Sequence, residues 1–255
     1  MLALRESTPD ARTAAPTATP VAGAIDALLF SGLWVAAAAA ALTAASFHAL
    51  AAAPRVSAVA LAFLGTLAVY TVDRLRDLER DGTTAPLRSA FVARHQRTLE
   101  ALSITSAAAA ALCALRAGPR AIAIAASVLV VGLFHRRLKR WSQLQPIYVV
   151  CAWLAVTVGL PVATAEGGAH AGWIVALLAP ALFANVAAPQ ARGVAGAFAA
   201  LGVALAAVAP APVRPLGAVA VATGVALLGF RETERWVLGV LDGALVAGAL
   251  ASLLL

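Results

Sequence analysis

Apolar runs of about twenty residues follow one another along most of the chain, and only short polar or Gly- and Pro-containing breaks separate them. A helix needs about 20 apolar residues to cross the hydrocarbon core of a bilayer, so the pattern predicts an all-α, polytopic membrane bundle of about nine transmembrane helices. The predicted spans are residues 27–50, 55–73, 98–116, 119–135, 145–165, 171–189, 193–210, 214–230 and 236–254.

The composition agrees with insertion of nearly the whole chain into a membrane. Of the 255 residues, 62% are hydrophobic and 12% are charged, whereas a soluble domain carries about 25% charged residues. The net charge of +7 is distributed over short loops between spans, so we expect no binding of nucleic acid. We predict a disordered cytoplasmic tail over residues 1–25 and a single transmembrane helical domain over residues 26–255.

The distribution of lysine and arginine predicts the orientation in the membrane. If the N-terminus is cytoplasmic, 15 of the 19 basic residues fall on the inner side, and the outer side holds only Arg55, Arg116, Arg120 and Arg214. Cytoplasmic loops of membrane proteins carry the excess of Lys and Arg. We therefore predict a protein of the bacterial inner membrane, with its N-terminus inside and its C-terminus outside.

The richest polar stretch of the chain closes the second predicted span. Asp73, Asp77 and Asp81 follow one another at intervals of four residues, which on one continuous helix places them in a stripe about 80° wide. Tyr70 extends this stripe towards the membrane. Three stacked carboxylates repel one another, and Mg²⁺ relieves such repulsion while also binding substrate phosphates. The alternative is a solvated helix end whose acids pair with the neighbouring arginines.

A basic cluster, His-Arg-Arg-Leu-Lys-Arg-Trp at residues 135–141, closes the fourth predicted span. Lys139 and Arg140 are candidates to bind a diphosphate, because both side chains are established phosphate ligands. The alternative for this cluster is simple anchoring of the span at the membrane surface. The residue types leave both interpretations open.

These features together resemble the UbiA superfamily of intramembrane prenyltransferases. The first motif of that family reads Asn-Asp-x-x-Asp-x-x-x-Asp; Asp73 stands here at the position of its Asn, Arg74 at the adjacent acid, and Asp77 and Asp81 match directly. The segment 138–163 is similar to the stretch that leads into the family's fifth span.

This resemblance implies a UbiA-like bundle with a central cavity that opens towards the membrane. It implies that Asp73, Asp77 and Asp81 are catalytic and hold Mg²⁺. The implied substrates are an isoprenyl diphosphate and an aromatic or other lipophilic acceptor. The resemblance further suggests that Tyr70, Lys139 and Arg140 bind substrate.

The chain departs from the family where a second Asp-rich motif is expected, at the end of the sixth span. Residues 183–193 contain no carboxylate there, and Asn185, Gln190 and Arg192 are the polar candidates. Asn185 and Arg192 are predicted to bind substrate, with Arg192 supplying positive charge where the family uses a second metal ion. The departure also favours an alternative, a non-catalytic UbiA-like protein that binds a lipid or a partner.

Asp242 lies about two turns into the last predicted span. A charged residue there is costly, so we expect it to face the interior and to pair with Arg231 or Arg235, or to be protonated. A small transporter is a further alternative, but such proteins place charges in paired halves of the chain. Asp242 has no counterpart in the first half.

Overall fold

The described part of the chain is helical throughout, and it contains helices that are long and apolar enough to cross a membrane. The computed structural model describes residues 20–138, 144–165 and 168–255, without the side chains at 20, 79–81, 135–136 and 138. Four helices meet the length and hydropathy of a membrane span, and a fifth span results if one bent helix pair counts as a single crossing. Within these residues no strand is present.

The described residues form twelve helices, and short connections reverse the chain between most of them. They are α1 (Pro20–Phe30), α2 (Leu33–Ala49), α3 (Val56–Arg76), α4 (Leu78–Thr84), α5 (Pro86–Arg94), α6 (Gln96–Ala117), α7 (Pro119–Leu138), α8 (Gln145–Thr164), α9 (Ala171–Ala187), α10 (Arg192–Val208), α11 (Arg214–Leu228) and α12 (Glu234–Leu254). The candidate spans are α3, α6, α8, α12 and the bent pair α1–α2, with α7, α9, α10 and α11 as shorter apolar helices.

The prediction of an all-helical chain with several candidate membrane spans is thereby confirmed over the described residues, and each predicted span contains a helix. The number of nine membrane crossings stays a prediction. One local expectation is wrong: a single helix does not continue from Asp73 through Asp81. Helix α3 ends at Arg76, Asp77 caps it with φ −97° and ψ 8°, and α4 begins at Leu78. The 80° stripe of three aspartates therefore ends at Asp77.

Helices α1 and α2 are bent by 61° at the dipeptide Ser31-Gly32. Gly32 adopts φ +92°, a left-handed conformation that residues with a Cβ rarely tolerate. The break packs against the end of α3, where the Thr71 hydroxyl donates to the Ser31 carbonyl at 3.2 Å. The Arg74 guanidinium donates to the carbonyls of Leu29, at 3.0 Å, and Phe30. These bonds satisfy carbonyls that the end of α1 leaves without helical partners.

Small residues allow the helices to approach closely, as expected where packing replaces the hydrophobic effect. The clearest case is Gly248 in α12. A Cβ on this residue would collide with the backbone of Val219 in α11 and lie 2.9 Å from the carbonyl oxygen of Ala218. Helices α11 and α12 are therefore in backbone contact, and this contact fixes the position of the last span.

Gly248→Ala is expected to lower the free energy of unfolding by about 1–2 kcal/mol, because the added methyl group meets backbone that cannot rotate away. The matched control is Gly196→Ala in α10, where a Cβ would meet nothing within 4 Å. That change should be neutral or stabilising by up to about 1 kcal/mol through helix propensity. Unfolding of both variants in mixed micelles measures the difference, and equal stabilities would contradict the close packing.

Candidate functional site

A cavity of about 520 Å³ lies between α3, α6, α7 and α8. Its volume falls within the range of about 300–1,000 Å³ that is usual for small-molecule sites. Along α3 its lining extends from Leu61 to Arg74, a distance of about 20 Å at 1.5 Å per residue. The cavity therefore reaches through about two thirds of a bilayer core of about 30 Å.

Polar groups collect at one end of this cavity, which we call the polar end. Asp73 and Arg74 come from the last turn of α3, Arg88 from α5, and Gln145 and Tyr148 from the first turn of α8. The rest of the lining is almost entirely Ala, Val, Leu, Ile and Gly. A cavity of this kind matches an amphiphile with a charged head and a long apolar tail.

The two arginines of the polar end are close enough to repel each other electrostatically. Arg74 is only 6% exposed, while Arg88 is half-buried. Asp73 supplies negative charge beside them and also interacts with Tyr148. Placing two guanidinium groups together is costly unless an anion lies near them. The polar end thus combines two guanidinium groups with the carboxylate of Asp73, a set of charges that suits an anionic group bound together with a cation.

A hydrogen-bonded aromatic pair, Tyr70 and Trp153, lines the cavity, with Tyr70 one helical turn from Asp73 and Arg74. The Trp153 indole Nε1 donates to the Tyr70 hydroxyl at 3.3 Å. Trp153 lies directly before a π-helical segment, Ala155–Gly159, which precedes Pro161. Proline has no backbone N–H to donate to the helix, so Pro161 leaves one carbonyl of this turn without its usual helical donor. Such π-helical turns occur often at functional sites.

Helix α5 covers the polar end and is attached there by a carboxylate of α12. Glu234 accepts hydrogen bonds from the backbone N–H groups of Leu87, at 3.0 Å, and Arg88, at 2.9 Å. Helix α5 begins with Pro86 and has no side-chain cap of its own. Glu234 thus satisfies the first free N–H groups of α5, and it holds the segment that brings Arg88 to the cavity.

Asp242 is buried in α12, with 9% of its surface exposed, and it interacts electrostatically with Arg74 and Tyr70. Its expected pairing with Arg235 is wrong, because Arg235 forms a two-pronged ion pair with Asp26 at 2.8 and 2.9 Å. Arg231 instead stacks on the Trp236 ring, 5.7 Å from its centroid.

The predicted site residues separate into four groups. Tyr70 and Asp73 line the cavity. Asp77 is 2% exposed and lies outside that lining. Asn185 also lies outside it, beside the Asp242 carboxylate. Among the described residues, its buried Nδ2 atom makes no hydrogen bond of ordinary geometry. Arg192 is exposed and stacks on Phe230 at 5.0 Å. Lys139, Arg140 and the Asp81 side chain lie outside the described residues.

Arg88 and Trp153 belong to the cavity but were not among the site residues predicted from the sequence. Arg88 lies between apolar spans in a polar loop that also contains several other arginines, and nothing in its spacing distinguishes it from them. Trp153 is one aromatic residue within an apolar run, although Pro161 downstream signals an irregular turn. Comparison with known proteins adds no assignment: no protein-family model, no curated protein and no solved structure matches this chain.

Proposed function

We propose that the protein is a UbiA-like membrane prenyltransferase, which moves an isoprenyl group from its diphosphate to an aromatic or other lipophilic acceptor. The supporting observation is the cavity itself, which is about 20 Å long and has an apolar body and a polar end that holds Asp73, Arg74 and Arg88. An isoprenyl diphosphate has the same division into an apolar tail and a strongly anionic head.

In the proposed reaction the allylic C–O bond breaks and diphosphate leaves with the electron pair. The acceptor then forms a bond to the allylic carbon and loses a proton. Arg74 and Arg88 stabilise the leaving group, where negative charge develops. Tyr70 and Trp153 border the reacting carbon, and their ring faces favour a nearby positive charge. The apolar walls exclude water from the cation.

The implied Mg²⁺ fits only part of the predicted ligand set. Mg²⁺ is commonly held by one or two carboxylates together with substrate phosphates, and Asp73 meets this need because it lines the cavity. Asp77 does not fit from its buried position outside the lining, and the described residues contain no cluster of three acidic, His or Cys ligands. Bound beside Asp73, Mg²⁺ would neutralise charge on the diphosphate.

The proposal includes nine membrane crossings in the inner membrane of a bacterium, with the N-terminus inside. The five candidate spans and the four shorter apolar helices, counted over the described residues, would supply nine segments. The polar end would then face the cytoplasm, where soluble isoprenyl diphosphates and Mg²⁺ are present.

Binding and turnover of farnesyl diphosphate by the purified full chain test this function. We expect Mg²⁺-dependent binding and diphosphate release, and we expect Asp73→Asn to weaken Mg²⁺-dependent binding about tenfold, because one charged ligand is lost. The control is Glu100→Gln, because Glu100 is exposed on α6 and bonds Gln96 at 2.8 Å away from the cavity. Equal effects of the two substitutions would contradict the role of Asp73.

A non-catalytic protein that binds an isoprenoid lipid is the second candidate. It is favoured by the absence of carboxylates from residues 183–193 and by the position of Arg192, which stacks on Phe230 outside the cavity lining. The same experiment separates the two candidates: binding that needs no Mg²⁺ and yields no diphosphate favours the second, and no binding at all contradicts both.

A further inference from the structure

A second concave surface lies at the opposite end of the bundle from Asp73, between α11 and α12. It is a groove of about 690 Å³, lined by Ala211, Arg214, Pro215, Ala218, Val221, Ala222, Ala247, Gly248, Ala251 and Leu255. The groove exists because Gly248 brings the two helices into backbone contact, while the positions beside that contact carry only methyl groups. The result is a furrow open to the surroundings of the protein.

The walls of this groove are chemically suited to a hydrocarbon chain. Nine of its ten lining residues are apolar or glycine, and Val221 is 50% exposed on this surface. Both helices are apolar and belong to candidate or shorter membrane segments. An apolar furrow at the level of the bilayer is filled by acyl chains or by another apolar helix, because water finds no hydrogen-bond partners there.

Arg214 is the one charged side chain among the lining residues of the groove. It is exposed, and its Nε and Nη2 atoms donate to the Ala209 carbonyl at 3.3 and 3.1 Å. These two bonds fix the guanidinium at the edge of the groove. A guanidinium has five N–H donors, so the opposite edge retains donors for an anion.

We propose that this groove binds an anionic phospholipid, with its phosphate on Arg214 and one acyl chain between α11 and α12. An anionic phospholipid joins a negative group directly to an acyl chain that can fill the furrow, and it is the amphiphile that surrounds a membrane protein in bulk. Basic pockets between membrane helices bind such head groups by the same chemistry. A second copy of this chain, docked symmetrically on the groove, would bring two Arg214 side chains into one interface, and like charges oppose that arrangement.

Native mass spectrometry of the purified full chain with phosphatidylglycerol and phosphatidylcholine of identical acyl chains tests the site. We expect phosphatidylglycerol to bind about fivefold more tightly, which corresponds to one basic residue near an anionic lipid. Arg214→Gln should abolish this preference. Ala247→Phe, at an exposed position in the groove, should weaken binding of both lipids by filling the furrow.

The matched control is Arg116→Gln, because Arg116 is exposed at the end of α6 and does not line the groove. This variant should bind both lipids as the unmodified protein does. Equal affinity of the unmodified protein for the two lipids would overturn the proposal, as would an unchanged preference in Arg214→Gln. A protein dimer that excludes lipid from the groove would also overturn it. None of these readouts depends on prenyl transfer.

Discussion

Replacing Arg74 by leucine is expected to lower the free energy of unfolding by about 3–5 kcal/mol, which is the usual cost of removing one partner from a buried ionic network. Arg74 is 6% exposed, and its guanidinium joins three elements of the fold. It donates to the carbonyls of Leu29 and Phe30 at the end of α1, and it interacts with Asp242 in α12.

The substitution leaves two kinds of group without compensation. The carbonyls at the end of α1 lose donors in a region that is shielded from water, and each such loss costs about 1–3 kcal/mol. Asp242 at the same time loses the positive charge that offsets the cost of burying its carboxylate. Leucine is apolar and of moderate size, so it restores neither interaction. We expect the bend between α1 and α2 to loosen first.

Unfolding of the variant in mixed micelles measures the effect, with Arg76→Leu as the control. Arg76 is two residues away on α3 and exposed, and its replacement should change stability by less than about 0.5 kcal/mol. A double variant with Asp242→Leu completes a thermodynamic cycle. If the two residues act as a pair, Asp242→Leu should cost less in the Arg74→Leu background than alone. Similar stabilities of the two arginine variants would show that Arg74 is not structural.

The case of Arg74 also shows what the sequence could and could not predict. Apolar runs of the length of a bilayer locate the helices, because each span must satisfy its own backbone inside lipid. The Ser31-Gly32 dipeptide inside the first apolar run is a visible sign of the bend. The hydrogen bonds from Arg74 to this bend form only because the fold brings the end of α3 beside the end of α1. They join residues that are 45 and 44 positions apart in the sequence.

The candidate site was predictable to a similar degree. Asp73 and Tyr70 line the cavity and share one helical face, which a period of 3.6 residues reveals. The same rule fails at Asp77, because it assumes a helix that continues, whereas α3 ends at Arg76. Arg88 reaches the cavity from a helix whose first N–H groups are bonded by Glu234, 146 residues further along the chain. No local pattern contains that information.

Glu234→Ala is expected to release helix α5 from the polar end. Both carboxylate oxygens accept backbone N–H groups at the start of α5, and Pro86 and Ala85 offer no side-chain cap in their place. Loss of these charge-assisted bonds should cost about 2 kcal/mol locally, an increase of about thirtyfold in the opening of α5. The main spans should keep their stability, because Glu234 lies at the start of α12.

Hydrogen exchange of the purified protein measures this opening directly. Amide groups of residues 86–94 should exchange about thirtyfold faster in Glu234→Ala, with no change in the middle of α3. Glu232→Ala is the control, because Glu232 is exposed two residues away. Uniformly faster exchange over all helices would indicate general destabilisation, and unchanged exchange in residues 86–94 would contradict the attachment.

The same variant shows whether Glu234 acts on the cavity through Arg88. Once α5 opens, Arg88 leaves the polar end, and an anionic head group loses one of its two arginines. Binding of farnesyl diphosphate should therefore weaken in Glu234→Ala, by at most as much as in Arg88→Ala. The double variant should bind no more weakly than Arg88→Ala alone, because a positioning residue has no effect once the residue that it positions is gone. Additive losses would instead assign Glu234 a separate contact with the ligand.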